Sequence, residues 1–183
     1  MRPVLGIDHY RRPELFDTER RAIFRRLWLL AAIRPMIANH HDFRTVTLAG
    51  VPLVLQNHHG QVRAFANICR HRGAAIQTQE FGNRPLVCPY HHWAYDGQGR
   101  LAFTHRDPEV FGFTSEEAAS LRLREYRTET VGGLVFVNLH EHPLPIEEQF
   151  GAATLAQLAK ATSHMDSVFA HTRYEARFNW KIG

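Results

Sequence analysis

Apolar positions along the chain recur with two different periods. Between residues 19 and 30, Ile23, Phe24, Leu27 and Trp28 fall at helical spacing with arginines opposite them. Asp17 and Thr18 stand where a helix cap would, and Pro35 follows as a stop, so the pattern predicts an N-terminal amphipathic helix. From Phe43 onward the period shortens to two. Segments 43–48, 53–56 and 62–66 read as strands, with Gly50–Val51–Pro52 and Asn57-His-His-Gly60 as turns. Gly82–Asn83 reads as another turn before 85–88, and Asp96-Gly-Gln-Gly99 as a tight turn between short strands at 93–95 and 100–103.

Beyond this the pattern changes twice more. Residues 104–120 read as irregular around Pro108, with a short helical turn at 115–119. Strand-like runs resume at 121–126 and 133–139, a helix is predicted over 146–161, and alternation returns over 168–180. Short strands at close spacing predict a mainly β fold, an antiparallel β-domain with an N-terminal and a later helix.

Composition removes several function classes. The formal charge is +4, and the arginines are dispersed apart from Arg20, Arg21, Arg25 and Arg26. Helix-spaced arginines make a solvated face, so no nucleic-acid partner is expected. A modest positive balance also suits docking of an acidic redox partner. The start MRPVLGIDHYRRPEL lacks the apolar core of a signal peptide, and the apolar run 27–33 is too short to span a bilayer. A soluble, cytoplasmic chain without a membrane partner is expected. Two cysteines are too few for a disulfide scaffold. Most of the thirteen histidines, including His40–His41, His58–His59 and His92, read as surface residues.

The candidate chemistry lies in Cys69-x-His71 and Cys88-x-x-His91, with sixteen residues between the pairs. Each cysteine has a histidine at ligand spacing, and both pairs fall at apparent hairpin tips, so two loops can converge on one metal centre. A [2Fe–2S] cluster with two thiolates on one iron and two imidazoles on the other fits this set. Two neutral imidazoles in place of two thiolates make the cluster less negative, so it accepts an electron more readily. Zinc is the competing ion, although zinc fingers pair Cys with Cys and His with His. A Cys69–Cys88 disulfide is the other alternative.

The flanking residues carry a resemblance. CRHRGAAI at 69–76 and CPYHHWAYDGQGRL at 88–101 resemble the Rieske motif of aromatic ring-hydroxylating dioxygenase alpha subunits, the Rieske non-haem iron oxygenases. The lead-in at 50–73, GGLVFVNL at 132–139 and the closing RFNWKIG are similar to that family as well. Cytochrome bc-type Rieske proteins add a cysteine pair bridging the two loops, where this chain has Ala74 and Tyr90. They also place a serine near the cluster, where this chain has Trp93, and losing that hydroxyl should keep the potential low. Tyr95 remains a candidate donor to the cluster or a packing residue. Gly73, Pro89, Gly97 and Gly99 are expected to shape the loops.

The resemblance implies Cys69, His71, Cys88 and His91 as ligands, and a reductase or ferredoxin as electron donor. It also implies a homotrimeric parent in which His91 is the exit toward a neighbour's mononuclear Fe(II). That iron would sit on two histidines and a carboxylate in a catalytic domain absent here. His140-Glu-His142 and His164/Asp166/His171 are the only local clusters that could substitute, and neither resembles the family's motif. The expected division is a helical extension over 1–35, a Rieske domain over 36–161 and the start of a truncated catalytic domain over 162–183. A stand-alone Rieske-type ferredoxin is the alternative, disfavoured by the segments before 36 and after 139.

Overall fold

The protein is described by a computed structural model that covers residues 5–104, 112–165, 169–175 and 177–182. Its centre is strand β3 (Val51–His58), where consecutive residues Leu53, Val54 and Leu55 are all buried. A strand buried on both faces needs a core on each side. Leu53 and Leu55 join Ile37, Ala64, Val135 and Val137 in one core. Val54 joins Phe43, Phe65, Ile76, Leu86, Trp93 and both cysteines in the other. Each Val, Leu, Ile or Phe side chain among them contributes roughly 1.5–3 kcal/mol by leaving water.

β2 (Asp42–Leu48) and β4 (Gln61–Ala66) flank β3, and every strand pair is antiparallel. The sheet runs β1-β9-β8-β4-β3-β2-β5 with β1 (Trp28–Ile33), β5 (Phe81–Asn83), β8 (Glu125–Val131) and β9 (Leu134–Asn138). It curls enough that Arg44 on β2 donates from Nη1 to the carbonyl of Ala31 on β1, 2.8 Å away. A separate small sheet pairs β6 (Ala94–Tyr95) with β7 (Leu101–Phe103). The mainly β, antiparallel expectation therefore holds.

Several local expectations need correction. The N-terminal helical segments are α1 (Asp8–Arg11), α2 (Pro13–Glu19) and a wide turn at Arg20–Phe24, and they end before Leu27. Trp28 begins β1, because Trp28, Ala31 and Ala32 bury against the sheet while the backbone pairs with β9. Ladder and core outweigh the helical spacing of Leu27 and Trp28. β1 thus belongs to the same sheet as β2–β5. Gly82–Asn83 is no turn. It lies in edge strand β5, where Asn83 Nδ2 donates to the carbonyl of His40 and to Asp42 Oδ1, both at 2.8 Å.

Residues 85–88 make only one bridge, Val87 to Ala94. A short helix, α3 (Ser115–Ser120), forms at the expected turn. The strand expected at 121–126 forms later, at β8, whose sequence EYRTETV is half exposed and gives little hydrophobic signal. The single helix over 146–161 is two, α4 (Ile146–Phe150) and α5 (Ala152–Ala161), broken at Gly151 with φ 76°. Ile146 and Leu155 pack there against Trp28 and Phe136. Among the described residues after Ala161 there is no strand, and Tyr174 and Phe178 are exposed, with no ladder partner to hold the predicted alternation. The irregular stretch around Pro108 lies largely outside the described residues, as does Asp166. No helix among the described residues is long and apolar enough to cross a membrane.

Candidate metal centre

The two predicted loops close in the same way. In the first, the Cys69 amide donates to the carbonyl of Ala74 (2.8 Å) and the Gly73 amide to the carbonyl of Cys69 (3.0 Å). In the second, the Cys88 amide donates to the carbonyl of Trp93 and the His92 amide to the carbonyl of Cys88, both at 2.9 Å. Each loop is therefore pinned from its cysteine to the residues four and five positions on. The fourth position takes a left-handed backbone in both, with φ 73° at Gly73 and 57° at His92. That conformation suits glycine and costs other residues roughly 1–2 kcal/mol. His92 is exposed, as expected, but its backbone closes the second loop.

Both cysteines are free and buried, at 3% and 2% exposure, within the second core. Burial pushes the Cys88 thiol up, opposed by hydrogen bonds from the backbone amides of Tyr90 and His91, while the neighbouring Cys69 adds to the rise. Tyr95 packs beneath Cys69, with its hydroxyl 3.2 Å from Sγ. The Arg70 amide donates to that same hydroxyl oxygen at 2.9 Å, and against a thiolate at Cys69 the tyrosine would be the donor. Burial, then the contact with Cys69, raises the Tyr95 pKa, so the phenol keeps its proton. Tyr95 thus packs under the loop with its hydroxyl in contact with the sulfur.

The two imidazoles lie outward of the thiols. The rings of His71 and His91 are 4.6 Å apart, and both are partly exposed. His71 stacks on buried Trp93 at 4.7 Å with 9° between the planes. Partial burial, followed by the charges of His91 and Arg72, lowers the His71 pKa and favours neutral imidazole. His91 lies against the exposed ring of Tyr90 at 3.9 Å, with the Arg72 guanidinium 5.6 Å from that ring's centre.

This donor set could hold a [2Fe–2S] cluster, with two soft sulfurs on the protein side and two imidazoles on the solvent side. It is more open than one tetrahedral zinc requires. Among the described residues, the only three metal-ligating side chains whose donor atoms all lie within 4.8 Å of one another are His40, His41 and His58. Among the described residues, the other histidines raised from the sequence are not gathered into a ligand set, and Asp166 lies outside those residues. His140 Nδ1 lies 2.8 Å from the carbonyl of His142, and His171 faces Glu80 at 3.8 Å.

A polar brace at the loop bases had no signal in the sequence. Asn67 Oδ1 accepts the amides of Ile76 and Gln77. Gln77 Nε2 donates to the carbonyls of Arg84 and Pro85, and Arg84 Nε returns a bond to Gln77 Oε1 at 2.9 Å. Asn67 and Gln77 are buried, so these bonds tie the first loop to the approach of the second in a low-dielectric setting. Nothing in the spacing of Asn, Gln and Arg marks them as partners. Gly99 fits beneath the second loop because a Cβ there would meet the Phe65 ring at 2.7 Å.

Comparison with known proteins agrees with this architecture. Residues 28–114 match the Rieske [2Fe-2S] domain model. The chain is 33% identical over 175 residues to the glycine betaine monooxygenase oxygenase subunit of Pseudomonas aeruginosa, covering 92% of this chain and 38% of that protein. It is also 33% identical to the 2-aminobenzenesulfonate 2,3-dioxygenase subunit alpha of an Alcaligenes species, over 92% of this chain and 43% of the relative. Among solved structures, the quaternary ammonium Rieske monooxygenase CntA superposes with a TM-score of 0.74 at 27% identity, covering 84% of this chain and 43% of that one. The chain thus spans about two fifths of the length of the relatives it matches. Residues 28–114 are a Rieske [2Fe–2S] domain, of the type carried by the oxygenase subunits of Rieske monooxygenases and dioxygenases.

Proposed function

We propose that this chain is the electron-transfer part of a Rieske oxygenase alpha subunit, with Cys69 and Cys88 on one iron of its cluster and His71 and His91 on the other. One observation carries the reading. Two identically closed loops bring two buried thiols together and two partly exposed imidazoles together, with the Tyr95 hydroxyl on Cys69 Sγ. When bound, the cluster supplies one-electron redox chemistry. The residues around it set its environment. Tyr95 and the amides of Tyr90 and His91 direct partial positive charge at the sulfurs, which favours the more negative, reduced state. Trp93 fixes the plane of His71. His91, beside Tyr90 at the surface, is the exit for the electron.

The parent protein, on this reading, takes electrons from a reductase or ferredoxin and assembles as a homotrimer. It hydroxylates an organic substrate at a mononuclear iron outside these 183 residues, and segment 162–183 leads toward that domain. The named relatives act on glycine betaine and 2-aminobenzenesulfonate, so a small charged organic substrate is the first class to test. Anaerobically purified chain is expected to carry about two irons and two labile sulfides and to show, when reduced, the electron-spin signal of a mixed-ligand cluster. Stoichiometric zinc without sulfide, after reconstitution with iron and sulfide, would overturn the assignment.

A further inference from the structure

Outside the Cys/His loops, two polar turns meet and bring four histidines together. His40 and His41 precede β2, and His58 and His59 form the tip of the β3–β4 hairpin. The ring of His40 lies 3.6 Å from that of His41 and 3.8 Å from that of His59, and the His58 ring is 5.1 Å from His40. Donor atoms of His40, His41 and His58 all lie within 4.8 Å of one another.

The surrounding structure holds this cluster in place. Buried Asn57 donates from Nδ2 to the carbonyls of Ile37 and Ala38, both at 2.9 Å, and its Oδ1 accepts the Gly60 amide at 2.7 Å. One side chain therefore joins both histidine-bearing turns. The His41 amide donates to the carbonyl of Asn57, and the carbonyl of His40 accepts from Asn83 Nδ2. His58 rests against Gly97, where a Cβ would come within 2.0 Å of the ring. His41 Nδ1 is buried without a hydrogen-bond partner, an unusual state for a nitrogen that can accept or donate. His40 Nδ1 accepts the His59 amide at 3.3 Å, a bond long enough to be exchanged for a metal at the same lone pair.

We propose that His40, His41 and His58 form a second metal site, separate from the Rieske centre, that binds one late first-row divalent ion such as Zn²⁺. Imidazole nitrogen is the preferred donor for these ions, and three protein ligands leave a coordination position for water. A metal at the cluster would take up the unpaired His41 nitrogen and offset the crowding of four imidazoles. Burial, then the neighbouring histidines, lowers the pKa of His41 and of His58, which keeps both rings in the neutral, ligating form.

The test is Zn²⁺ titration of the chelator-washed, full chain by calorimetry. Metal is counted by mass spectrometry, and visible absorption reports on the iron centre. One saturable Zn²⁺ per chain is expected without bleaching of the iron chromophore. His41→Asn and His58→Asn should each weaken binding at least about tenfold, whereas His164→Asn should leave it unchanged. Asparagine is chosen because it tolerates the left-handed backbone of His41, φ 68°, and circular dichroism checks that each variant is folded. Zinc uptake that persists in both variants, that occurs only with loss of iron, or that never saturates in the folded chain would each overturn the proposal.

Discussion

The two loops of the Rieske centre share a backbone and differ in their surroundings. Both run from cysteine to a left-handed fourth residue and close on the fifth. The first loop uses Gly73 at the strained position and receives a hydroxyl from Tyr95 at its sulfur. The second uses His92 there and receives the amides of Tyr90 and His91. Its histidine, His91, faces an exposed tyrosine, whereas His71 of the first loop is stacked on the core through Trp93. One loop architecture thus yields an inner half held against the core and an outer half beside an exposed tyrosine. The backbone repeat positions the two Cys/His pairs alike, and unlike neighbours give the two halves different surroundings.

The largest expected effect removes the shared feature. Cys69→Ser or Cys88→Ser should each lower iron from about two per chain to near zero, measured by metal analysis and visible absorption. Retention of the cluster in either variant would break the equivalence of the loops. Next comes the brace between them. Gln77→Leu removes two donated bonds and the acceptor of Arg84 Nε, while Gln56 Nε2 still serves the Arg84 carbonyl and the Val87 amide that of Pro85, and should cost about 1–3 kcal/mol in denaturant unfolding.

A smaller effect sharpens the difference at the fourth position. Around Gly73 no atom lies within 4 Å of a built Cβ, so Gly73→Val is penalised by backbone conformation alone, at roughly 1–2 kcal/mol. Tyr95→Phe should keep the cluster yet lower its midpoint potential on the order of 60 mV, the equivalent of one factor of ten for a single electron. Removing a donor from Cys69 sulfur favours the oxidised state, so a potential that stays constant in voltammetry would assign Tyr95 to packing alone. Last, His92→Gly relieves the left-handed strain while adding chain entropy. A net change below about 1 kcal/mol is expected, with iron content intact.

Particular residues show how far the sequence reached. The two like loops that carry Cys69/His71 and Cys88/His91, and strands β2, β3, β4 and β9, were legible because short spacing and period-two alternation are local signals. The N-terminal helix was misplaced at its end, since Trp28 satisfies a helical period yet pairs with β9 as a strand. β8 stayed hidden because its exposed face and its partly exposed face are both polar. His40, His41, His58 and His59 read as surface residues because each pair sits in a polar turn, and no local rule tells that two turns 18 residues apart will meet.

By itself the sequence determined the chemistry that depends on residue type and short spacing: the Cys/His donor set, the antiparallel β class and the loop-shaping glycines. Tertiary structure alone decided what depends on burial and on partners distant in the chain. It set the Tyr95 hydroxyl on Cys69, 26 residues away, and stacked Trp93 on His71. It laced Asn67, Gln77 and Arg84 together and drew four histidines around Asn57. The physical reason is that a hydrogen bond or ring contact has its energy in a particular geometry. Only the folded arrangement of sheets and loops brings those groups within reach, whereas spacing within a loop is already present in the unfolded chain.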